Sequence, residues 1–164
     1  AQPFIIIFAL IVAVLVLTFG IKAVFDIKKA AEFTELGAGV ADLRDYVKRY
    51  YNFDFGSSRE IDIKVSSKVK CFCFKDNSGV SFSNNPSLDN CGGNDMIIII
   101  ESSDLTKHLF IYPMDAFSLT QFNLVKQNDL LRPRMNPLCI EIENGHFRAI
   151  IENRGEYVEI REVV

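Results

Sequence analysis

The stretch AQPFIIIFALIVAVLVLTFGIKAVF (residues 1–25) decides the fold, because its nineteen residues from Pro3 to Ile21 carry no charge. Nineteen residues of α-helix rise about 30 Å, which matches the hydrocarbon thickness of a bilayer. Aliphatic and aromatic side chains fill every side of this helix, so it has no polar face for water. It is too long for a cleavable secretory signal, and no basic region precedes it. We expect a retained helix that lipid or other protein chains cover.

The next stretch, DIKKAAEFTELGAGVADLRDYVKRYYNF from Asp26, predicts that the helix continues without a boundary. Its apolar residues are spaced alternately three and four apart, which is typical of an amphipathic helix that packs one stripe on a domain. Gly37 and Gly39 each weaken the helix by about 1 kcal/mol relative to alanine and indicate a bend or a close contact. The predicted helix–head packing residues are Phe33, Leu36, Val40, Leu43, Val47 and Tyr50.

After Asn52 the apolar period changes from helical to two, which indicates half-buried strands at 61–65, 69–74 and 138–143. The solid apolar run MIIII, Met96–Ile100, is predicted to be a central strand, and Leu109–Tyr112 a similar one. The tail from Leu138 is predicted to form a three-stranded meander. Its turn signals are Asn144-Gly145 and the tripeptide at 153–155.

The predicted fold class is therefore α+β, with a long N-terminal α-helix (about residues 3–51) and a C-terminal antiparallel β-rich globular head. Residues 1–52 form the helix, apolar over 3–25 and amphipathic over 26–51, and residues 53–164 form the head. We expect six to eight mostly antiparallel strands, with the second half of the helix laid across one face. A length of 164 residues fits one domain with an appendage.

Four cysteines, Cys71, Cys73, Cys91 and Cys139, are the disulfide candidates. An even number behind an export-like segment favours two disulfides. Cys71 and Cys73 share a strand face, so two pairings remain: Cys71–Cys91 with Cys73–Cys139, or Cys71–Cys139 with Cys73–Cys91. We prefer the second, because Cys73 and Cys91 bracket a local loop. The alternatives are free core thiols and a structural zinc site, although CxC lacks the paired CxxC spacing.

Composition and motifs give no support for catalysis. The chain has no GxSxG, HExxH or phosphate-binding glycine loop, and its two histidines, His108 and His146, lie far apart and away from any cysteine. We predict that the protein is not an enzyme, with no catalytic residue, no metal and no cofactor. A net charge of −3 lacks the basic face of nucleic-acid binding, so no nucleic-acid partner is expected.

An apolar stretch of about 20 residues that runs unbroken into an amphipathic helix and then a β-rich head resembles the type IV pilin superfamily. The start at Ala1-Gln2, without methionine or a basic leader, resembles an archaeal pilin from which the leader has been removed. Bacterial type IV pilins usually carry a glutamate at the fifth mature position, where this chain has Ile5. The resemblance covers residues 1 to about 51.

This resemblance implies a structural subunit of an extracellular pilus-like filament, with bundled helices in the core and β heads outside. The implied partners are identical subunits, membrane lipid before assembly, the pilus assembly machinery and a leader peptidase. The implied location is the cell surface, with a membrane-inserted precursor. The filament-core or membrane residues would be Phe4, Phe8, Leu10, Val14, Leu17 and Ile21. Small residues such as Ala9, Ala13, Gly20 and Ala23 would let helices approach closely.

The alternative is a single-pass membrane-anchored protein with a β-rich binding or accessory domain. Lys22, Lys28 and Lys29 follow the apolar segment, and no basic residue precedes it in this chain. The positive-inside bias would then place the head in the cytoplasm. The two interpretations differ in what covers the apolar helix: identical chains in a filament, or lipid alone.

Overall fold

The computed structural model describes residues 2–76, 86–104, 106–113, 121–122, 124 and 130–163. Within these residues it has a long helix, a short helix, a 3-10 turn and eight strands, which confirms the α+β class. The helices are α1 (Gln2–Tyr51) and α2 (Gly93–Ser102), and the 3-10 turn is Pro86–Leu88. The strands are β1 (Ser58–Lys64), β2 (Cys71–Phe74), β3 (Leu109–Tyr112), β4 (Gln121–Phe122), β5 (Leu131–Pro133), β6 (Leu138–Glu141), β7 (His146–Asn153) and β8 (Val158–Glu162).

The chain forms two compact units, an N-terminal unit (Ala1–Thr34) and a C-terminal unit (Glu35–Val164). The division lies inside α1, whereas the sequence places the boundary after residue 52. The difference has a physical reason, since the last turns of α1 bury their apolar stripe in the core of the C-terminal unit. Those turns belong to the head by packing, although they belong to the helix by secondary structure.

Helix α1 follows from its sequence. Pro3 occupies the first turn, where a missing N–H costs nothing, and no proline follows before the helix ends at Tyr51. Lys48 and Arg49 lie in the last turn, where positive charge is favourable. The Asn52 side-chain amide donates a hydrogen bond to the Lys48 carbonyl oxygen at 2.9 Å. The predicted bounds, 3–51, agree with the structure.

The described strands form two four-stranded sheets. Sheet 1 has the order β1-β7-β8-β5, with every pair antiparallel except β5–β8, which is parallel. Sheet 2 has the order β4-β3-β2-β6 and is antiparallel throughout. The prediction of six to eight mostly antiparallel strands is therefore confirmed for the described part of the chain.

The three-stranded meander predicted for the tail is wrong. The hairpin at 153–155 forms between β7 and β8, but β6 pairs with β2 in the other sheet. Asn144 and Gly145 do form a tight turn, with φ values of 53° and 77°, and only an isolated bridge, Glu143 to His146, joins its two sides within the described residues. The turn therefore carries the chain from sheet 2 to sheet 1 instead of joining neighbouring strands.

The central strand predicted at Met96–Ile100 is also wrong, because this run lies in α2. Met96 and Ile100, four residues apart, are fully buried, whereas Ile98 between them is 62% exposed. That one-sided burial fits a helix and not a strand buried on both faces. Gly92 precedes the helix with φ 95°, and a Cβ at that position would lie 2.7 Å from the Tyr112 ring. Only glycine fits this entry to the helix.

The main core lies between the inner faces of the two sheets and the apolar stripe at the end of α1. Phe147 of sheet 1 bridges the sheets, with its ring centroid 5.0 Å from that of Phe72 and 5.8 Å from that of Phe74. The opposite face of sheet 2 packs against α2 and the 3-10 turn in a second, smaller core that contains the cysteines. The sequence also predicts a polar loop, rich in Asn, Ser, Gly and Asp, over residues 78–95; residues 78–85 of that range lie outside the described residues.

Candidate functional site

The apolar segment of α1, residues 3–21, is an exposed surface without charged groups. Among the described residues, one helix is long and apolar enough to cross a membrane, and no residue of its most apolar window is buried. The six predicted filament-core or membrane residues are between 56% and 81% exposed. They are Phe4, Phe8, Leu10, Val14, Leu17 and Ile21. This chain alone therefore leaves the segment uncovered.

The only polar side chain between Pro3 and Ile21 belongs to Thr18. Its hydroxyl oxygen lies 3.0 Å from the Val14 carbonyl oxygen and 2.9 Å from that of Leu15, so it donates within its own helix. The side chains of the segment therefore need no hydrogen-bond partner outside the helix. Burying one exposed Val, Leu, Ile or Phe side chain contributes about 1.5–3 kcal/mol. Covering the whole segment is therefore worth on the order of 20 kcal/mol.

The last turns of α1 differ from the apolar segment, because their apolar stripe is already buried within the C-terminal unit. Leu36, Val40, Leu43, Val47 and Tyr50 are at most 5% exposed and belong to the main core. Phe33, predicted as the first residue of this stripe, is 42% exposed and falls in the N-terminal unit.

Polar contacts join the second half of α1 to the rest of the C-terminal unit. Arg44 Nε donates to the Leu124 carbonyl oxygen at 3.1 Å, and Lys64 Nζ lies 3.1 Å from a Glu35 carboxylate oxygen. Gly39 is buried against β1, since a Cβ there would lie 2.6 Å from Val65 Cγ1. The sequence predicts either a bend or a close contact at this glycine, and the structure shows the close contact.

Asn153 holds the C-terminal end of α1. Its side chain is 2% exposed, and its Nδ2 lies 2.9 Å from the carbonyl oxygen of Tyr50 and 2.6 Å from that of Phe53. Its Oδ1 accepts from the Gly155 amide at 2.6 Å. Carbonyls at a helix end have no partner inside the helix, so this buried amide satisfies them. Sequence reasoning assigned Asn153 to a turn alone, and nothing local in the sequence signals its long-range contacts.

All four cysteines lie in the described part of the chain and are paired, which confirms the prediction of disulfides. The pairs are Cys71–Cys91 and Cys73–Cys139, so the pairing that we preferred is wrong. The register explains the outcome, because Cys73 of β2 lies directly opposite Cys139 of β6. The preferred pairing is based on the length of the loop between Cys73 and Cys91, and that length does not reveal that β6 lies beside β2.

Lys75 is a buried cation that follows β2. It is 6% exposed, and its Nζ donates to the Ile100 carbonyl oxygen at 3.0 Å and to Ser103 Oγ at 3.1 Å. It thereby caps the C-terminal end of α2. Burial lowers the pKa of Lys75, and the Asp104 carboxylate partly offsets that effect.

The outer face of sheet 1 carries ion pairs around Asp62. Its Oδ1 lies 2.8 Å from His146 Nδ1, and its Oδ2 lies 3.5 Å from Arg148 Nε. The hydrogen bond from His146, with a smaller contribution from the Arg148 charge, lowers the pKa of the Asp62 carboxyl below its ordinary value. His146 directly follows the Asn144-Gly145 turn signal, from which the sequence predicts a solvated turn residue. In the structure it is the first residue of β7 and contacts the Asp62 carboxylate.

The second histidine of the chain, His108, is buried. His108 directly precedes β3 and is 0% exposed, and its backbone accepts from the Lys75 amide at 2.9 Å. It lies apart from the ion pairs around Asp62, which face solvent at 48% exposure. These two sites therefore do not combine into one constellation.

Comparison with known proteins gives no match to a protein-family model, to a curated protein or to a solved structure. The functional argument therefore depends on the surfaces of this chain alone.

Proposed function

We propose that this protein is the structural subunit of a pilus-like filament on the cell surface. The N-terminal helices would bundle in the filament core, and the β-rich heads would lie outside. The single observation that carries the proposal is the contrast within α1. Its apolar segment is exposed and free of charge, whereas its last turns already pack into the C-terminal unit.

The physical argument is that this segment needs a cover on all its sides. Its exposed residues surround the helix, from Phe4 at 81% to Ile21 at 56%. A surface helix that serves only its own domain has one apolar stripe and a polar face. A helix that is apolar all around is stable in lipid or among similar helices, and identical chains in a head-to-tail, non-closing arrangement produce a filament.

Disulfides in the C-terminal unit support an oxidising location for it. Both Cys71–Cys91 and Cys73–Cys139 are buried in the smaller core. Extracellular and cell-surface proteins keep such bonds, whereas cytoplasmic proteins rarely do. This favours a head outside the cell over the cytoplasmic head that the positive-inside bias would give.

The second candidate is a single-pass membrane protein with a β-rich binding or accessory domain. It is favoured by the exposed lysines Lys22, Lys28 and Lys29, which follow a segment of membrane length. In this case lipid covers the segment permanently. The two candidates therefore predict different material after mechanical shearing of cells.

The test is to shear intact cells, collect the released material, image it by negative stain and identify its protein by mass spectrometry. The filament proposal predicts thin filaments that contain this chain. If the chain is found only in detergent-extracted membranes, while a known surface appendage is released as a shearing control, the filament proposal is wrong and the anchored domain takes its place.

A further inference from the structure

The four cysteine sulfur atoms lie in one buried cluster. The Sγ atoms of Cys73, Cys91 and Cys139 lie within 4.8 Å of one another, and Cys71 Sγ is bonded to that of Cys91. We propose that these four cysteines, when reduced, form a tetrathiolate site for one Zn²⁺ ion. The protein would then have two alternative forms, one with two disulfides and one with a metal. This inference does not depend on the filament.

The geometry of the cluster is close to what zinc requires. Zn–S bonds of about 2.3 Å in a tetrahedron place the sulfur atoms roughly 3.8 Å apart. In the disulfide form three of the four sulfurs lie within 4.8 Å of one another, and the bonded pairs, at 2.08 and 2.00 Å, would each separate by about 1.8 Å after reduction. Cys71 lies two residues from Cys73 on the same face of β2, and rotations about the Cα–Cβ bonds of the four cysteines are the adjustment that the metal form requires.

The ligands come from elements that hold their positions. Cys71 and Cys73 belong to β2, which is a central strand of sheet 2, and Cys139 belongs to its neighbour β6. Cys91 directly precedes Gly92, the N-cap of α2, and the N-terminal end of a ten-residue helix stabilises a thiolate. The backbone that presents the sulfurs is thus shared by both forms.

The surroundings also suit a tetrathiolate. Leu88, Met96, Ile100 and Phe110 are at most 3% exposed and pack around the cysteines, so water has little access to a bound ion. A zinc tetrathiolate carries two negative charges. Lys75 follows on the same face of β2 as the two cysteines, and its Nζ reaches the Ile100 carbonyl oxygen of this cluster. Lys75 thus places a cation beside the apolar cluster that contains the cysteines.

The conversion is balanced if a thiol reductant supplies the electrons. Each disulfide accepts two electrons and two protons from one dithiol molecule, which becomes a cyclic disulfide, and two cysteine thiols form. Binding of Zn²⁺ to the four thiols then releases four protons. Oxidation by a thiol oxidant such as a protein disulfide would reverse these steps and release the ion. A reducing compartment therefore favours the metal form, and an oxidising one favours the disulfide form.

The experiment uses the full chain in detergent micelles, reduced with a phosphine under anaerobic conditions and titrated with Co²⁺ as a spectroscopic probe. The expected result is one Co²⁺ per chain, with the visible bands of tetrahedral cobalt and thiolate-to-cobalt charge transfer, both removed by one equivalent of Zn²⁺. The oxidised protein is expected to bind no Co²⁺. A reduced protein that gives no such spectrum overturns the proposal.

Two variants and one denaturation control make the result specific. Cys139→Ser removes one ligand and is expected to weaken Co²⁺ binding more than tenfold, since even loss of an outer partner costs about 10–100-fold. Ile98→Ser changes a residue of α2 that is 62% exposed and is expected to bind Co²⁺ as the original protein does. If the reduced chain loses its near-ultraviolet circular dichroism and binds Co²⁺ equally well in urea, the preformed site does not exist and the proposal is wrong.

Discussion

Replacement of Gly39 by alanine tests whether α1 packs on β1 as closely as the structure shows. A Cβ at Gly39 would lie 2.6 Å from Val65 Cγ1 and 3.0 Å from the Lys64 carbonyl oxygen. Carbon atoms in contact prefer about 3.5–4.0 Å, so the new methyl group overlaps its neighbour by about 1 Å. The second neighbour is backbone and moves only with the strand. Overpacking of this kind costs about 1–3 kcal/mol.

Gly37→Ala is the matched control, because a Cβ at Gly37 meets no atom within 4 Å. Both replacements gain about 1 kcal/mol of helix propensity. We therefore expect Gly37→Ala to raise the free energy of unfolding by about 1 kcal/mol. Gly39→Ala is expected to fall below Gly37→Ala by about 1–3 kcal/mol, which corresponds to a melting temperature lower by about 2–12 °C.

The assay is thermal and guanidinium unfolding of the full chain in detergent, followed by near-ultraviolet circular dichroism. This signal reports the packing of aromatic rings such as Phe72 and Phe147 in the core. Far-ultraviolet signal would be dominated by the long helix and would report the head poorly. If Gly39→Ala is as stable as Gly37→Ala, or more stable, the close contact between α1 and β1 is wrong.

Three further predictions concern other parts of the chain. Asn153→Ala is expected to lower the free energy of unfolding by about 1–3 kcal/mol in guanidinium titrations, because the carbonyl oxygens of Tyr50 and Phe53 lose the Asn153 amide as a donor; an unchanged midpoint would contradict the cap. The pKa of the Asp62 carboxyl is lowered mainly by His146. The contribution of this carboxylate to stability is therefore present above its unfolded pKa, about 3.9, and is lost as pH falls through its folded pKa. Asp62→Asn should reduce the loss of stability between pH 7 and pH 3, and an identical loss would argue against the pair. A Cβ at Gly20 meets no atom within 4 Å in this chain, so Gly20→Leu should insert into membranes normally yet reduce the yield of sheared filaments, while Gly37→Ala should not. An unchanged yield would show that Gly20 lies outside the contacts between helices.

Local patterns in the sequence predict the elements whose surroundings are simple. The spacing of Leu36, Val40, Leu43 and Val47 predicts a packed helix, and these residues are buried. The alternation at 61–65 predicts β1, in which Ile61 and Ile63 face the core. In both cases the spacing of the apolar residues alone identifies the buried face of the helix or strand, and the segments that pack against it need not be known.

Contacts between distant segments explain what the sequence does not reveal. The isoleucine-rich run 96–100 has strand propensity, but packing of Met96 and Ile100 against the cysteine-containing core holds it as a helix. The turn at 144–145 has the expected geometry, yet β6 pairs with β2 of the other sheet, which places Cys139 opposite Cys73. The same register decides the disulfide pairing. Nor does any local signal point from Asn153 to the helix end about 100 residues before it.

The central claim is that identical chains, and not lipid alone, cover the apolar segment of α1. The most direct measurement places a photo-crosslinking residue at Val14, which is 59% exposed in this segment, and irradiates intact cells before shearing. The account predicts covalent dimers and higher multimers of this chain in the sheared fraction when the probe is at Val14. The same probe at Ile98 on α2 is the control and is expected not to give the same series of multimers. Crosslinks from Val14 to lipid alone, with the chain confined to membranes, would contradict it.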